Sequence, residues 1–330
     1  MQTNLATDAR RIVAAALGCS VAAVASIACA QEFPTRPLRM IVPWAPAGAA
    51  DILARTLSQK MAEHWSQQVV VDNRPGANGV IGTELAARAP ADGYTLLMGA
   101  TGPNSVLPSL VAKLPYDALK DFAPVSLVAT TTYVLSVHPS MPVNSVKELI
   151  AYAKTKPGQF TFGSPGTGTP NHLSGEMFKV ATGIDMQHVP YKGSAPVITD
   201  VMGGQITLTF ENIAPVVPHI KSGKLKALAI TAPKRSALLP EVPTIAESGV
   251  PGFQSVGWFG VLAPAGTPRD ALVRLNAETV RILKLPDVRE RLLGMGMEIF
   301  GSTVQEFADF EKAEIDKWAG VVKSANVRLE

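Results

Sequence analysis

Two α/β domains joined by two crossover strands are the fold this sequence predicts, on three observations. Short apolar runs alternate with helical patterns. Glycine- and proline-rich turns separate them, and two longer β-rich stretches, near residues 130 and 255, interrupt the alternation. The 330 residues suffice for two domains of ordinary size. The expected division is a discontinuous first domain, 31–130 with 251–330, and a second, 131–250. A cleft between the two follows naturally.

The elements run in order. Leu38–Trp44 (LRMIVPW) is apolar enough for a strand buried on both faces. It stops at Pro46-Ala47-Gly48, and from Asp51 a helical pattern begins, with Leu53, Leu57 and Met61 four apart. A short strand at 68–71, a helix carrying Val80, Ile81 and Leu85, and a strand at 94–98 continue the βαβ alternation. Val125–Val137 is too long for one average strand and is expected to run between the domains. Ser145 and Glu148 form a capping box opening a helix to about Lys154. Phe160–Phe162 enters a second glycine loop, and Thr169 before Pro170 fits an N-cap with proline at the first helical position. Strands at 186–189, 206–210 and 225–230 follow, with a helix from about Ala195 to Met202 and a capping box at Thr244 and Glu247. Gly257–Ala263 is the second candidate crossover strand. Thr267, Pro268 and Asp270 read as a cap, an N1 proline and an N3 acid. The C-terminus is helical, with Phe307, Phe310, Ile315 and Trp318 on its packing face.

The first thirty residues stand apart. Arg10 and Arg11 precede nineteen uncharged residues, Ile12–Ala30, of which eight are alanine, and the run ends Ala28-Cys29-Ala30. Residues 1–30 are therefore expected to be a cleaved signal peptide rather than a retained anchor or a lipoprotein signal. Both cysteines, Cys19 and Cys29, fall within it, so thiol nucleophiles, disulfides and cysteine-ligated metals are excluded from the mature chain. Lys and Arg total 30 against 27 Asp and Glu. That balance leaves no excess field for phosphates, so nucleic acid is not an expected partner.

Two constellations carry the chemistry. Pro43–Asp51 (PWAPAGAAD) places small residues at a helix start, where unpaired N–H groups attract an anion. Trp44 is either an apolar wall or part of the core. Asp51 could cap the same N–H groups, repel an anion, or bind an ammonium. Gly163–His172 (GSPGTGTPNH) is a second loop with hydroxyl donors before a helix. It reads as a ligand loop or a plain strand-to-helix turn. It lacks the Lys-Ser/Thr ending of a nucleotide loop and the spacing of a dinucleotide fingerprint, and its His172 reads as a structural hydrogen bonder. Asn73–Gly79, Thr101–Asn104 and Val189–Ser194 are weaker loops at the same strand ends, where doubly wound sheets bind ligands. Gly163-Ser164-Pro165-Gly166 has the wrong spacing for a nucleophile elbow, and the five histidines form no metal pattern. No cofactor or metal and no enzymatic activity are expected. The alternative is a secreted hydrolase built on Ser, His and carboxylates such as Asp51, Asp72, Asp200 and Glu211.

The stretches Arg36–Asp51, Val71–Gly79, Ala91–Leu96, Gly163–His172, Val189–Gly193, Gly203–Gln205 and Trp258–Pro268, in this order and spacing, resemble the receptors of tripartite tricarboxylate transporters, the Bordetella-uptake-gene type. The resemblance implies a type II periplasmic-binding-protein fold of the Venus-flytrap kind. It also implies a monomeric receptor, secreted to the periplasm, that holds a small carboxylate and delivers it to a membrane permease of one large and one small subunit. Carried onto this chain, the ligand positions are Trp44, Gly48, Ala49 and Asp51 in the first loop. Ser164, Gly166, Thr167, Gly168 and Thr169 follow in the second, and Asn104 and Ser194 stand beside them. Three departures stand out: Ala47 replaces a glycine of the usual Pro-Gly-Gly and restricts φ there, Thr207 replaces a common Asp, and Glu211 replaces another.

Overall fold

A computed structural model describes residues 33–328; the signal-peptide expectation for 1–30 lies outside them. Within the unit 36–330, one ten-stranded sheet runs in the order β2-β1-β3-β9-β4-β7-β5-β6, with β8 and β10 also paired to β4. The first half holds β1 (Leu38–Val42), β2 (Val69–Asn73), β3 (Thr95–Ala100) and β9 (Val256–Pro264). β1 pairs in parallel with β2 and β3, and β9 joins β3 antiparallel. The second half holds β5 (Phe160–Ser164), β6 (Met186–Pro190), β7 (Leu208–Asn212) and β8 (Lys226–Ile230), with β5 parallel to β6 and β7.

β4 (Phe122–Val137) belongs to both halves. Its sixteen residues span roughly 50 Å, pairing with β9 through Thr132 and with β7 from Tyr133 onward. β10 (Met297–Ile299) borders β4 at Ala129–Thr131. The chain returns at Ser255, whose N–H donates to the Thr231 carbonyl, and enters β9 one residue later. Thr231 ties the two passages together. Its Oγ1 accepts from Tyr133 N–H at 3.0 Å and lies 3.3 Å from Thr132 Oγ1, and Thr132 Oγ1 accepts from Ala232 N–H.

Core clusters follow the halves. Ile41, Leu97, Leu127, Trp258 and Phe307 pack in the first. In the second, one face buries Leu135, Phe162, Phe178 and Phe210, and the other Val134, Val197, Ile213 and Ile230. Central strands buried on both faces explain the nearly continuous apolar runs of the sequence. Of the flanking helices, α1 (Ala49–Trp65) buries Leu53, Leu57 and Met61, each worth about 1.5–3 kcal/mol of transfer energy. It stops where Ser66 turns left-handed and donates back to Ala62. α2 (Val80–Ala87) follows β2, and a π-helical turn at Gly102–Val106 leads into the short α3 (Leu107–Leu110). α4 (Val146–Lys154), α5 (Pro170–Thr182), α6 (Ser194–Met202) and α7 (Ile213–Lys221) flank the second half, and α8 (Arg269–Leu283), α9 (Pro286–Gly294) and α10 (Val304–Ser324) close the chain.

Local differences from the sequence reading have local causes. Glu148 N–H donates to Ser145 Oγ as read, but the glutamate reaches back to Asn144 N–H. Thr244 and Glu247 form both bonds of a capping box, yet the segment they close is a turn. Thr267 does not cap α8: its hydroxyl donates to the Pro264 carbonyl, and Pro268 is the N-cap. A complete capping box at Thr303 and Glu306 opens α10.

Candidate functional site

The register of β4 determines where the loops meet. Ala100, at the end of β3, lies opposite Phe259, which lies opposite Ala129 of β4. Asn212, at the end of β7, lies opposite Tyr133. The C-terminal ends of both parallel sets therefore reach the same stretch of β4, and the loops after β1, β3, β5, β6 and β7 gather there. Ligands bind at such ends in open α/β sheets.

The first loop joins β1 to α1. Trp44 is half-buried, and its ring edge lies 3.4 Å and 3.9 Å from where a Cβ on Gly79 or Gly102 would stand, so it spans the loops after β2 and β3. Gly82 of α2 sits against backbone, where a Cβ would fall 2.8 Å from Pro43 Cα and from the Arg74 carbonyl. Gly48 is the N-cap of α1 at φ −77°, and no side chain caps the helix; Ala49 follows as its first residue, half-buried. Asp51 is engaged elsewhere: Oδ2 accepts from Ala47 N–H and Arg55 Nε, and Oδ1 accepts from Asn73 Nδ2 at 2.9 Å. Burial works to raise its pKa, but these bonds outweigh it and hold the carboxyl below its ordinary value. Ala47 takes a left-handed φ of 70°, the conformation that the missing glycine would have supplied without strain.

The second loop joins β5 to α5, and its polar groups largely serve its own shape. Ser164 is fully buried; its Oγ accepts from Gly166 N–H and lies 2.6 Å from His188 Nε2. Thr169 caps α5, accepting from His172 N–H while donating to the Gly166 carbonyl at 2.7 Å. Gly168, at φ 77°, donates its N–H to His172 Nδ1, which gives His172 the structural bonding expected of it. Thr167 is exposed at the crest. Backbone bonds from Tyr191 N–H to Ser164 O and Gly193 N–H to Pro165 O lash this loop to the β6–α6 connection, which ends at Ser194, the half-buried first residue of α6. His188 stacks on His172 at 3.8 Å between ring centres. Burial, then the neighbouring His172, pushes its pKa down to about 3, so it is neutral at physiological pH. The Ser164–His188 contact has the atoms of a nucleophile–base pair, but the serine is sealed from solvent and tied into its loop.

Asn104 lies in the π-helical turn, fully buried. Its Oδ1 accepts from Ala100 N–H, and its Nδ2 has no protein partner. The residue that sequence reasoning passed over as a site is Glu211. Its signal is a charge directly after Phe210, at the end of a strand pattern; in the sequence it stands only as a departure from a pattern and as one carboxylate of the hydrolase alternative. It is fully buried at the end of β7, with Asn171 Nδ2 at 3.4 Å from Oε1 and no partner for Oε2. A cavity of about 240 Å³ lies instead beside β4 and β10, lined by Thr131, Lys234, Val256 and Met297, and holds none of these residues. Among the described residues no three His, Cys, Asp or Glu side chains cluster as a metal site.

Two α/β halves, crossover strands and loops converging on one stretch define a periplasmic-binding-protein-like fold. The family follows from comparison: the chain belongs to the tripartite tricarboxylate transporter family receptors, whose model matches residues 53–327. It is 39% identical to Protein BugT of Bordetella pertussis (strain Tohama I) over 94% of this chain and 96% of that protein. A structure described as a periplasmic transporter superposes with a TM-score of 0.79 at 43% identity, covering 90% of this chain and all of the other. R. palustris Rpa4515, solved with adipate, gives 0.80 at 38% identity over 90% and 99%. Receptors of this family act in the periplasm and deliver their ligand to a membrane permease.

Proposed function

We propose that the protein captures a small carboxylate between the Pro43–Asp51 and Ser164–Thr169 loops and releases it to a permease of one large and one small subunit. The observation that carries the reading is the uncapped N-terminus of α1 behind Gly48, with α5 and α6 starting on the opposite side. Backbone N–H groups and helix dipoles there favour an anion without an arginine clamp. Residues 1–30 are removed on export, and 31–130 with 251–330 closes against 131–250 around the ligand. Trp44 forms the apolar wall, Asn104 Nδ2 supplies a donor, Thr167 supplies a hydroxyl that the loop does not consume, and Ser194 stands beside them with its hydroxyl turned to Glu211. Binding is reversible and no bond is made or broken.

The test is a thermal-shift screen of residues 31–330 with adipate, malate, succinate and benzoate, repeated on Thr167→Ala and Asn104→Ala. At 100 times Kd a ligand adds about 2.7 kcal/mol, or about 4 °C at the roughly 1.6 °C per kcal/mol of a chain this size. A shift with at least one acid, reduced in both variants, is expected. No shift with any carboxylate overturns the reading.

A further inference from the structure

Glu211 is out of place in the electrostatics of an anion receptor. It follows the paired residues Gly163 and Thr209 of β5 and β7, and two residues on, the same register brings it level with Pro165 of the second loop. Its carboxyl sits between Asn171, in the first turn of α5, and Ser194, the first residue of α6, with α7 starting two residues after it. Three helix N-termini thus converge on one fully buried acid.

Among the described residues no cation pairs with it. Asp51, the other buried carboxyl of the loops, is met by Arg55, Asn73 and a backbone N–H; Glu211 keeps an oxygen without a partner. Burial pushes its pKa up to about 7, against smaller opposing effects of the Ser194 hydroxyl and the Asn212 N–H. The groups on the elements around it leave that unchanged. Tyr133 of β4 faces it with a phenol that burial keeps protonated, and Glu314 of α10 acts on the same phenol. On α5, Glu176 is paired with His172 and Lys179. On α6, Asp200 is bonded to Tyr191. The first turn of α7 carries no charge.

An anion and a buried ionised carboxylate repel at close range, whereas a neutral carboxyl donates to the anion. We propose that Glu211 is the specificity-determining group of the cleft: as the neutral acid it donates a hydrogen bond to the bound carboxylate, so that capture takes up a proton whenever the empty receptor holds Glu211 ionised. The proton comes from solvent, stays on Glu211 while the ligand is bound, and returns on release. The inference rests on the carboxylate-receptor reading and deepens it, because it selects for ligands offering an acceptor at this position and against those offering an ammonium.

The test is titration calorimetry of residues 31–330 with disodium adipate and with L-malate from pH 6 to 8.5, each in two buffers of different ionisation enthalpy. Above pH 7 the affinity of the unmodified chain should fall about tenfold per pH unit, with proton uptake rising toward one per ligand. Glu211→Gln, which keeps the shape and the neutral charge, should bind with an affinity independent of pH and without proton uptake. Binding without pH dependence or proton uptake in the unmodified chain overturns the inference and leaves the receptor reading standing. So does the full dependence persisting in the glutamine variant. Absence of binding by any carboxylate at pH 6, where Glu211 is neutral, overturns the reading itself, and the inference with it.

Discussion

Ala47 shows what one residue type does to a ligand loop. Its φ of 70° is a conformation that costs an L-residue about 1–2 kcal/mol, and its N–H must hold that turn to reach Asp51 Oδ2 at 3.0 Å. Gly48 beside it has an ordinary φ of −77°, so the strain falls on the position where the sequence departs from the Pro-Gly-Gly pattern. Ala47→Gly should stabilise the fold by up to about 1 kcal/mol, the relief offset by the greater freedom of glycine in the unfolded chain; matched denaturant titrations check it, and a destabilised variant would refute the strain. The sequence made this position legible because backbone conformation at a small residue is local. It could not reveal how the hydroxyls of the second loop are spent. The resemblance makes Ser164 and Thr169 ligand positions; short side chains also bond to their own backbone, and both do so here. Glu211 is harder still, since the starts of α5 and α6 that surround it are distant in the chain and only α7 adjoins it.

Among the elements, α10 is the one whose chemistry periodicity concealed. Phe307, Phe310 and Trp318 mark its packing face, and Phe307 and Trp318 are fully buried. Glu311 and Glu314 share that face and are more buried than the predicted Ile315. Counting apolar residues at helical spacing cannot show an acid that occupies a core position between them. Glu314 is satisfied by Lys317 and by Trp318 Nε1; Glu311 Oε1 has no partner, and burial pushes its pKa up to about 8. The native carboxyl keeps its proton up to about pH 8, while the unfolded one releases it near pH 4.5. Its contribution is therefore intact below pH 4.5 and is lost as pH rises toward 8. Glu311→Gln, which cannot ionise, should raise the melting temperature at pH 8 by a few degrees, about 1.6 °C for each kcal/mol in a chain of this size, and change it little at pH 4.5. An equal shift at both pH values would mean that ionisation is not the cause.

For the whole molecule, the two passages between the halves decide what the proposed closure would cost. The long strand over 125–137 and the return near 255 were legible, because a β-rich run too long for one half of a sheet has to enter the next. The threonine bonds holding the passages together were not, since Thr132, Thr231 and Ser255 lie far apart in sequence and meet only across the fold. A further tie runs through α10, where Trp318, Val321 and Val322 pack on Leu173 of α5 and on Val106 beside α3. Closure about the passages must preserve the bond from Tyr133 N–H to Thr231 Oγ1, or leave a buried donor unpaired at about 1–3 kcal/mol. Thr231→Val removes that acceptor at nearly constant volume and touches neither ligand loop. It should lower stability by about that amount and loosen the coupling between binding and closure. Small-angle scattering reads the coupling directly. In the unmodified chain a saturating ligand should bring the radius of gyration down toward the roughly 19 Å of a compact chain of about 300 residues. In the valine variant the decrease should be smaller at equal saturation. Saturation of the unmodified chain without any compaction would show that the ligand is held without movement of the halves, and the crossovers would then be a fixed scaffold, not a hinge.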